Sequence, residues 1–180
     1  KGLGVAQKAF VQTNAMPVLS ERREIFVNVI EHYDKLIDEN NDPVYDPEPL
    51  KEYMNRWDGQ VFIDAMKLDK HKTVLEIGVG TGRLAVKTIP LCKEFFGIDI
   101  STKTIERAAQ NLSQYKNVAL ICADFITYDF STTFDIVYSS LTFMHIQAQN
   151  PDPASHVAAF ENFITNPWKP VLYALGFGVV

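Results

Sequence analysis

The sequence predicts an α/β protein built on a doubly wound, mostly parallel sheet with helices on both faces. Two observations carry that prediction. From position 60 onward, helix-compatible and strand-compatible segments alternate, the pattern of parallel strands joined by helical crossovers. Three of the strand-like runs end in a glycine loop or a carboxylate, at the carboxyl ends where open α/β sheets hold their ligands.

Taken in order, the first helix follows Ser20-Glu-Arg-Arg. Ile25, Phe26, Val29, Ile30, Tyr33, Leu36 and Ile37 recur at helical spacing and leave a charged outer face. A turn-rich linker runs from Asn40 to Pro49. Within it, Asp46 before Pro47 predicts the N-cap and first turn of a second helix bearing Leu50, Tyr53, Trp57, Val61 and Met66. Residues 1–66 are thus expected to form an N-terminal helical cap and residues 67–180 the α/β core, in one compact domain.

The core opens with the apolar strand Val74-Leu-Glu-Ile77, which runs into Gly78-x-Gly80-x-Gly82 and then the helix-compatible Arg83 to Lys87. Alternating glycines after a strand let a ligand approach the backbone closely. Glu94 to Asp99 reads as a second strand ending in a carboxylate. Asp99 stands 17 residues beyond Gly82, near the offset of about 20 at which an acid accepts hydrogen bonds from ribose hydroxyls. Asp99 could instead cap the next helix, but Ser101 is better placed to do so. That helix carries Ile105, Ala108, Ala109, Leu112 and Tyr115 on one side. The third strand, Val118 to Cys122, leads into Ala123-Asp124-Phe125. The fourth, Phe134 to Ser139, follows a crossover with little helical character and continues as Ser140-Leu-Thr-Phe-Met-His-Ile146. Asp135 lies at the start of that strand, away from the ligand end.

Glu76 with the three glycines resembles the first motif of class I, Rossmann-like, S-adenosylmethionine-dependent methyltransferases, an acidic residue followed by G-x-G-x-G. A dinucleotide fingerprint would need glycine at position 83, where this chain has Arg, and this counts against NAD or FAD. The resemblance implies a cofactor site made by Glu76, Gly78, Gly80, Gly82, Asp99 and Ile100, with Ala123, Asp124 and Phe125 at the adenine. It extends to the segment after the fourth strand, where Ser139 would floor the methionine end and Leu141, Thr142 and Phe143 would line the acceptor pocket. Related enzymes close the methionine part with the region before the first motif. Tyr53, Trp57 and Asp58 are therefore candidates for that role, with core packing as the competing explanation. An aromatic face near a sulfonium would contribute cation–π attraction of about 0.5–2 kcal/mol.

After Ile146 the family pattern fades. Asp152 to Phe160 could open a helix and Pro170 to Val180 could supply a fifth strand, but strands six and seven of the family have no counterpart. The C-terminal strands are therefore expected to be missing or incomplete. The resulting uncovered sheet edge would invite pairing, including with a second copy of the chain.

Composition narrows the function. The 180 residues are 47% hydrophobic with a net charge of −5, and the basic residues are scattered, so nucleic acid is not favoured as a partner. Cys92 and Cys122 lack metal-ligand spacing and read as reduced core thiols of a cytoplasmic protein. No metal site is expected. Neither a signal peptide nor a membrane-spanning stretch is expected; the longest apolar run is Val171 to Val180.

The expected function is methyl transfer from S-adenosylmethionine to a small-molecule acceptor by SN2 displacement, leaving S-adenosylhomocysteine. His145 is the candidate general base if the acceptor must lose a proton; a hydrogen-bonded structural histidine is the alternative. Tyr53 is a second, lesser catalytic candidate. Two other classes stay open: a noncatalytic S-adenosylmethionine-binding regulatory module, and a nucleotide-linked oxidoreductase against which Arg83 already speaks.

Overall fold

A computed structural model of the chain describes residues 11–12, 20–142 and 171–175, with side-chain surroundings over 29–142. Its centre is a sheet of six parallel strands: β1 (Val11–Gln12), β2 (Thr73–Ile77), β3 (Glu94–Asp99), β4 (Val118–Cys122), β5 (Ile136–Ser140) and β6 (Val171–Leu175). They lie in the order β1-β4-β3-β2-β5-β6. The chain winds outward from β2 through β3 to β4, then returns to β5 on the other side of β2 and continues to β6. That reversal places a topological switch point between β2 and β5, at the strand ends where ligands bind in such sheets. The fifth-strand expectation is met by β6, which pairs with β5 in register from Val171 opposite Ile136 to Leu175 opposite Ser140.

Each strand alternates its side chains between two apolar layers. Val74, Phe95, Ile136 and Tyr138 point to the layer shared with Phe62, Met66, Leu84, Ile89, Ile105 and Leu112. Leu75, Ile77, Ile98, Ile121 and Val137 point to the other, with Phe130 and Phe134. The first layer is roofed by α3 (Gln60–Ala65), α4 (Ala85–Thr88) and α5 (Thr102–Asn111). Over the second, the described cover is a loop whose aromatic rings meet edge to face, Phe134 with Phe130 and Phe130 with Tyr128, and whose Phe134 meets Phe96 of β3 in the same way. This fits the non-helical crossover expected between β4 and β5.

The N-terminal region differs from expectation in two places. The single helix expected through Leu50 to Met66 is broken at Gly59 into α2 (Glu48–Asp58) and α3. A Cβ at Gly59 would lie 2.1 Å from the carbonyl oxygen of Asn55, so only glycine allows this tight junction. The N-cap of α2 is Pro47 and makes no side-chain cap bond, while Asp46 sits one position earlier, at the end of a 3-10 turn over Pro43–Tyr45. Preceding both, α1 (Ser20–Asp38) packs against α5. Asp34 accepts a hydrogen bond from Ser101 Oγ at 2.7 Å, and Lys103 pairs with Asp38. Ser101 also caps α5 by accepting from the Thr104 backbone N–H, as its position in the sequence suggests.

Candidate functional site

The carboxyl ends of β2, β3, β4 and β5 surround a cavity of about 240 Å³. The glycine loop forms its centre. Gly78, Gly80 and Gly82 all take positive φ (72°, 56° and 100°), a region that costs other residues free energy. A Cβ on Gly80 would meet nothing within 4 Å, because that face of the loop opens on the cavity. One on Gly78 would fall 1.9 Å from Thr142 Oγ1, so the absence of a side chain lets the segment after β5 close against the loop. Gly82 does not line the cavity; it faces Leu112 at the C-terminal end of α5 and serves helix packing instead.

Asp99 ends β3 on the cavity wall. Its Oδ2 accepts from the Gly80 backbone N–H at 3.0 Å and its Oδ1 from that of Ser101 at 3.1 Å. These bonds, with a further backbone donor at Ile100, fix the carboxylate on the cavity wall. Burial raises the Asp99 pKa, against the opposing pull of those backbone donors. Ile100 lies beside it. At the end of β4, Ala123, Asp124 and Phe125 all line the cavity. Asp124 Oδ1 accepts from Ile126 N–H at 2.9 Å, holding the turn, and Phe125 packs on the apolar layer under the site.

Glu76 reaches the cavity from β2 and is 3% exposed. It stands opposite Tyr138 in the β2–β5 register, and Tyr138 donates to its Oε2 at 2.9 Å. Burial drives the Glu76 carboxyl up to about 8, with Tyr138 and Arg83 only partly offsetting it.

A second polar cluster joins the cap to the core. Arg83 grips Asp58 with both guanidinium nitrogens, 2.7 and 2.5 Å from the two carboxylate oxygens, and Ser140 Oγ donates to Asp58 at 2.6 Å. Arg83 and Ser140 both line the cavity. Burial would raise the Asp58 pKa, but the bonds from Arg83 and Ser140 and the nearby positive charge leave it lowered.

The cap itself contributes to the wall through Val29, Tyr33 and Pro43. Pro43 is held in place by the buried Asp42, whose carboxylate accepts from Thr81 Oγ1 at 2.7 Å, from Asn111 at 3.0 Å and from Arg107 at 3.3 Å.

Several expected site residues therefore meet around one cavity: Glu76, Gly78, Gly80, Asp99, Ile100, Ala123, Asp124, Phe125, Leu141 and Thr142. Others do not. Ser139 is buried and donates to the Ile77 carbonyl at 2.9 Å, and the alternation of β5 brings Ser140 to the cavity in its place. Tyr53 and Trp57 are 53% and 47% exposed and lie outside the wall, with their rings edge to face at 6.4 Å. Of the three cap residues singled out, only Asp58 reaches the site, through Arg83 and Ser140. Phe143 and His145 fall outside the described residues. Asp135 sits at the opposite end of the sheet, where it accepts from both the N–H and the hydroxyl of Thr73.

Asp42, Thr81, Tyr33 and the Arg83–Asp58 pair were not legible as site residues. The one available signal was the Asp42-Pro43 dipeptide, a turn initiator within the linker. Cys92 is buried with its thiol pushed up to about 11 by desolvation, and neither Cys92 nor Cys122 forms a disulfide. Among the described residues no cluster suits a metal ion, and no helix is long and apolar enough to cross a membrane.

Residues 74–161 match the family described as a methyltransferase domain. Over those residues the chain is similar to methyltransferase domains, and its fold is the Rossmann-like one of class I S-adenosylmethionine-dependent methyltransferases. Curated relatives include ribosomal RNA small subunit methyltransferase A of Clostridium botulinum (strain ATCC 19397 / Type A), 27% identical over 105 residues that cover 58% of this chain and 33% of that one. An uncharacterized methyltransferase of Anoxybacillus flavithermus (strain DSM 21510 / WK1) is 29% identical over 133 residues, 73% of this chain and 57% of the relative. Among solved structures, magnesium protoporphyrin IX methyltransferase from Synechocystis PCC 6803 with bound S-adenosylmethionine has the same fold. Its TM-score is 0.60 at 15% identity, covering 82% of this chain and 72% of that one. The chain thus spans about a third of the length of the first curated relative.

Proposed function

We propose that the chain binds S-adenosylmethionine in this cavity and transfers its methyl group to a small-molecule acceptor. The observation that carries the proposal is the convergence on one cavity of a glycine loop open at Gly80, a carboxylate fixed by backbone donors at Asp99, and the Asp124-Phe125 turn. These three strand ends fit the three parts of the cofactor. Asp99 would accept from the ribose hydroxyls, Asp124 and Phe125 would meet the adenine edge and face, and Glu76 with the glycine loop would hold the amino-acid end. When bound, the cofactor supplies a methyl group already activated by the positive sulfonium, ready for in-line displacement.

The work left to the protein is positioning and exclusion of water. Thr142, lying against Gly78, and Leu141, held at a φ of 61°, form the wall next to the glycine loop where an acceptor would enter. The Arg83–Asp58–Ser140 cluster ties that wall to the cap. His145 remains our candidate base for an acceptor that must lose a proton. Cytoplasmic residence and pairing of chains through a sheet edge are part of the same proposal and rest on the sequence.

An RNA acceptor is the second reading, favoured by the ribosomal RNA methyltransferases among the curated relatives. The net charge of −5 favours the small molecule. Turnover assays with labelled cofactor against a small-molecule panel and against ribosomal RNA, each at two salt concentrations, separate the two. A small acceptor predicts transfer that hardly responds to salt, whereas an RNA acceptor predicts steep loss as salt rises. A chain that binds the cofactor and methylates neither would act as a binding module.

A further inference from the structure

The glycine loop holds a left-handed backbone at every second position, Gly78, Gly80 and Gly82, and glycine gives up more conformational freedom on ordering than any other residue. Such a loop stays in one shape only if its surroundings tether it. On the sheet side, the amides of Gly78 and Val79 donate to the Ile98 carbonyl and that of Gly80 to Asp99. The second tether comes from the cap and α5, and it acts on Thr81. This residue is 4% exposed, and its hydroxyl and carbonyl are both engaged. Thr81 Oγ1 donates to Asp42 Oδ1 at 2.7 Å, and the Thr81 carbonyl accepts from Asn111 Nδ2 at 3.0 Å. Asn111 Nδ2 also donates to Asp42 Oδ2 at 3.0 Å, with Arg107 of the same helix at 3.3 Å from that oxygen. The Val44 N–H donates to Asp42 Oδ1 at 3.1 Å. One buried carboxylate thus gathers the glycine loop, the end of α5 and the turn that puts Pro43 on the cavity wall.

We propose that Asp42 is a positioning residue for ligand binding: through Thr81 it holds the glycine loop in its binding-competent shape before a ligand arrives, a role that rests on the cofactor assignment above. Asp42 is not on the cavity wall, whereas Thr81 and Pro43 are, so its effect passes through them. It also precedes the matched residues 74–161, which makes a residue of the cap the organiser of a loop of the core. An O–H donated to a carboxylate is among the stronger hydrogen bonds, and here it is shielded from water. Without it the loop is competent for only part of the time, and apparent affinity falls in proportion to that fraction. Cutting the tether therefore weakens binding while every group that touches the ligand stays in place.

Two measurements test this, calorimetric titration with S-adenosylhomocysteine and amide hydrogen exchange of the ligand-free protein. Asp42→Ala and Thr81→Val should each weaken binding on the order of tenfold, and Thr81→Ser, which keeps the hydroxyl, should bind like wild type. Both losses come from one tether, so the double variant should bind no more weakly than Asp42→Ala alone. If Thr81→Val costs as much affinity in the Asp42→Ala background as in wild type, Thr81 acts on the ligand directly and the positioning role is overturned. Hydrogen exchange reads the loop without any ligand and needs only Thr81→Val, which leaves the other donors to Asp42 in place. The amides of Gly80 and Gly82 should exchange faster in that variant while those of β2 and β3 keep their protection. A general loss of stability would instead raise exchange in the strands as well. Unchanged exchange at Gly80 and Gly82, or exchange raised throughout the sheet, overturns the proposal while leaving the cofactor assignment intact. Wild-type protein that binds neither S-adenosylhomocysteine nor S-adenosylmethionine overturns the cofactor assignment, and the role of Asp42 in binding falls with it.

Discussion

At the scale of single residues, the site combines two buried carboxyls treated in opposite ways. Asp58 is paired with Arg83 and its pKa is lowered; among the described residues no cation pairs with Glu76, and its pKa is raised to about 8. Their effects on stability therefore run in opposite directions with pH. Asp58 contributes stability that is present above its unfolded pKa, near 4, and lost as pH falls through its lower folded value. Glu76 binds its proton more tightly when folded, so the stability it contributes is full below about 4.5 and disappears as pH rises through about 8. Chemical denaturation across pH 5 to 9 should show stability declining with pH in wild-type protein, and a shallower decline in Glu76→Gln. Removing Arg83 leaves Asp58, 2% exposed at its side chain, as an unpaired buried charge. Arg83→Ala should thus cost about 3–5 kcal/mol in the same assay. At Gly80 a side chain would project into the cavity from a backbone held at φ 56°. A folded Gly80→Val protein should lose cofactor affinity, as measured by calorimetry.

At the scale of elements, the strands and their ligand-facing ends were legible because each has a local signature: an apolar run, then glycine, Asp99 or Asp124. Ser101 as the cap of α5 was legible for the same reason. Replacing it removes both the cap and the bond to Asp34 that ties α5 to α1. Ser101→Ala should therefore cost about 1–2 kcal/mol by denaturant titration. Features that depend on contacts distant in sequence were not legible. The break at Gly59 preserves the apolar period of a single helix, so periodicity alone could not reveal it. Tyr53 and Trp57 share a helical face that could equally have been a pocket wall, and only the placement of α2 turns them outward. Arg83 counted only as a departure from the dinucleotide pattern, since its partner Asp58 lies 25 residues away. Ser139 and Ser140 exchange roles because a strand's period of two assigns neighbours to opposite faces.

At the scale of the whole molecule, the cap and the core form one site. Among the described residues, Val29, Tyr33 and Pro43 line a cavity whose other walls are the carboxyl ends of the strands and the loops that follow them, and Asp42 joins the two by accepting from Thr81, Asn111 and Arg107. A ligand filling that cavity touches both parts and should stabilise them together. Saturation at 100 times Kd should add about 2.7 kcal/mol to unfolding, read as a rise in Tm of a single transition. Two separate transitions, with only the later one responding to ligand, would show that the cap is not part of the site.

Cofactor binding at this cavity is tested most directly by calorimetric titration with S-adenosylmethionine, using NAD as the control and the Asp99→Ala variant alongside. One S-adenosylmethionine should bind per chain, NAD should not bind, and Asp99→Ala should weaken the affinity by about 1–3 kcal/mol through loss of charge-assisted hydrogen bonds to the ribose. Unchanged affinity in a folded Asp99→Ala protein, or a preference for NAD, would contradict it.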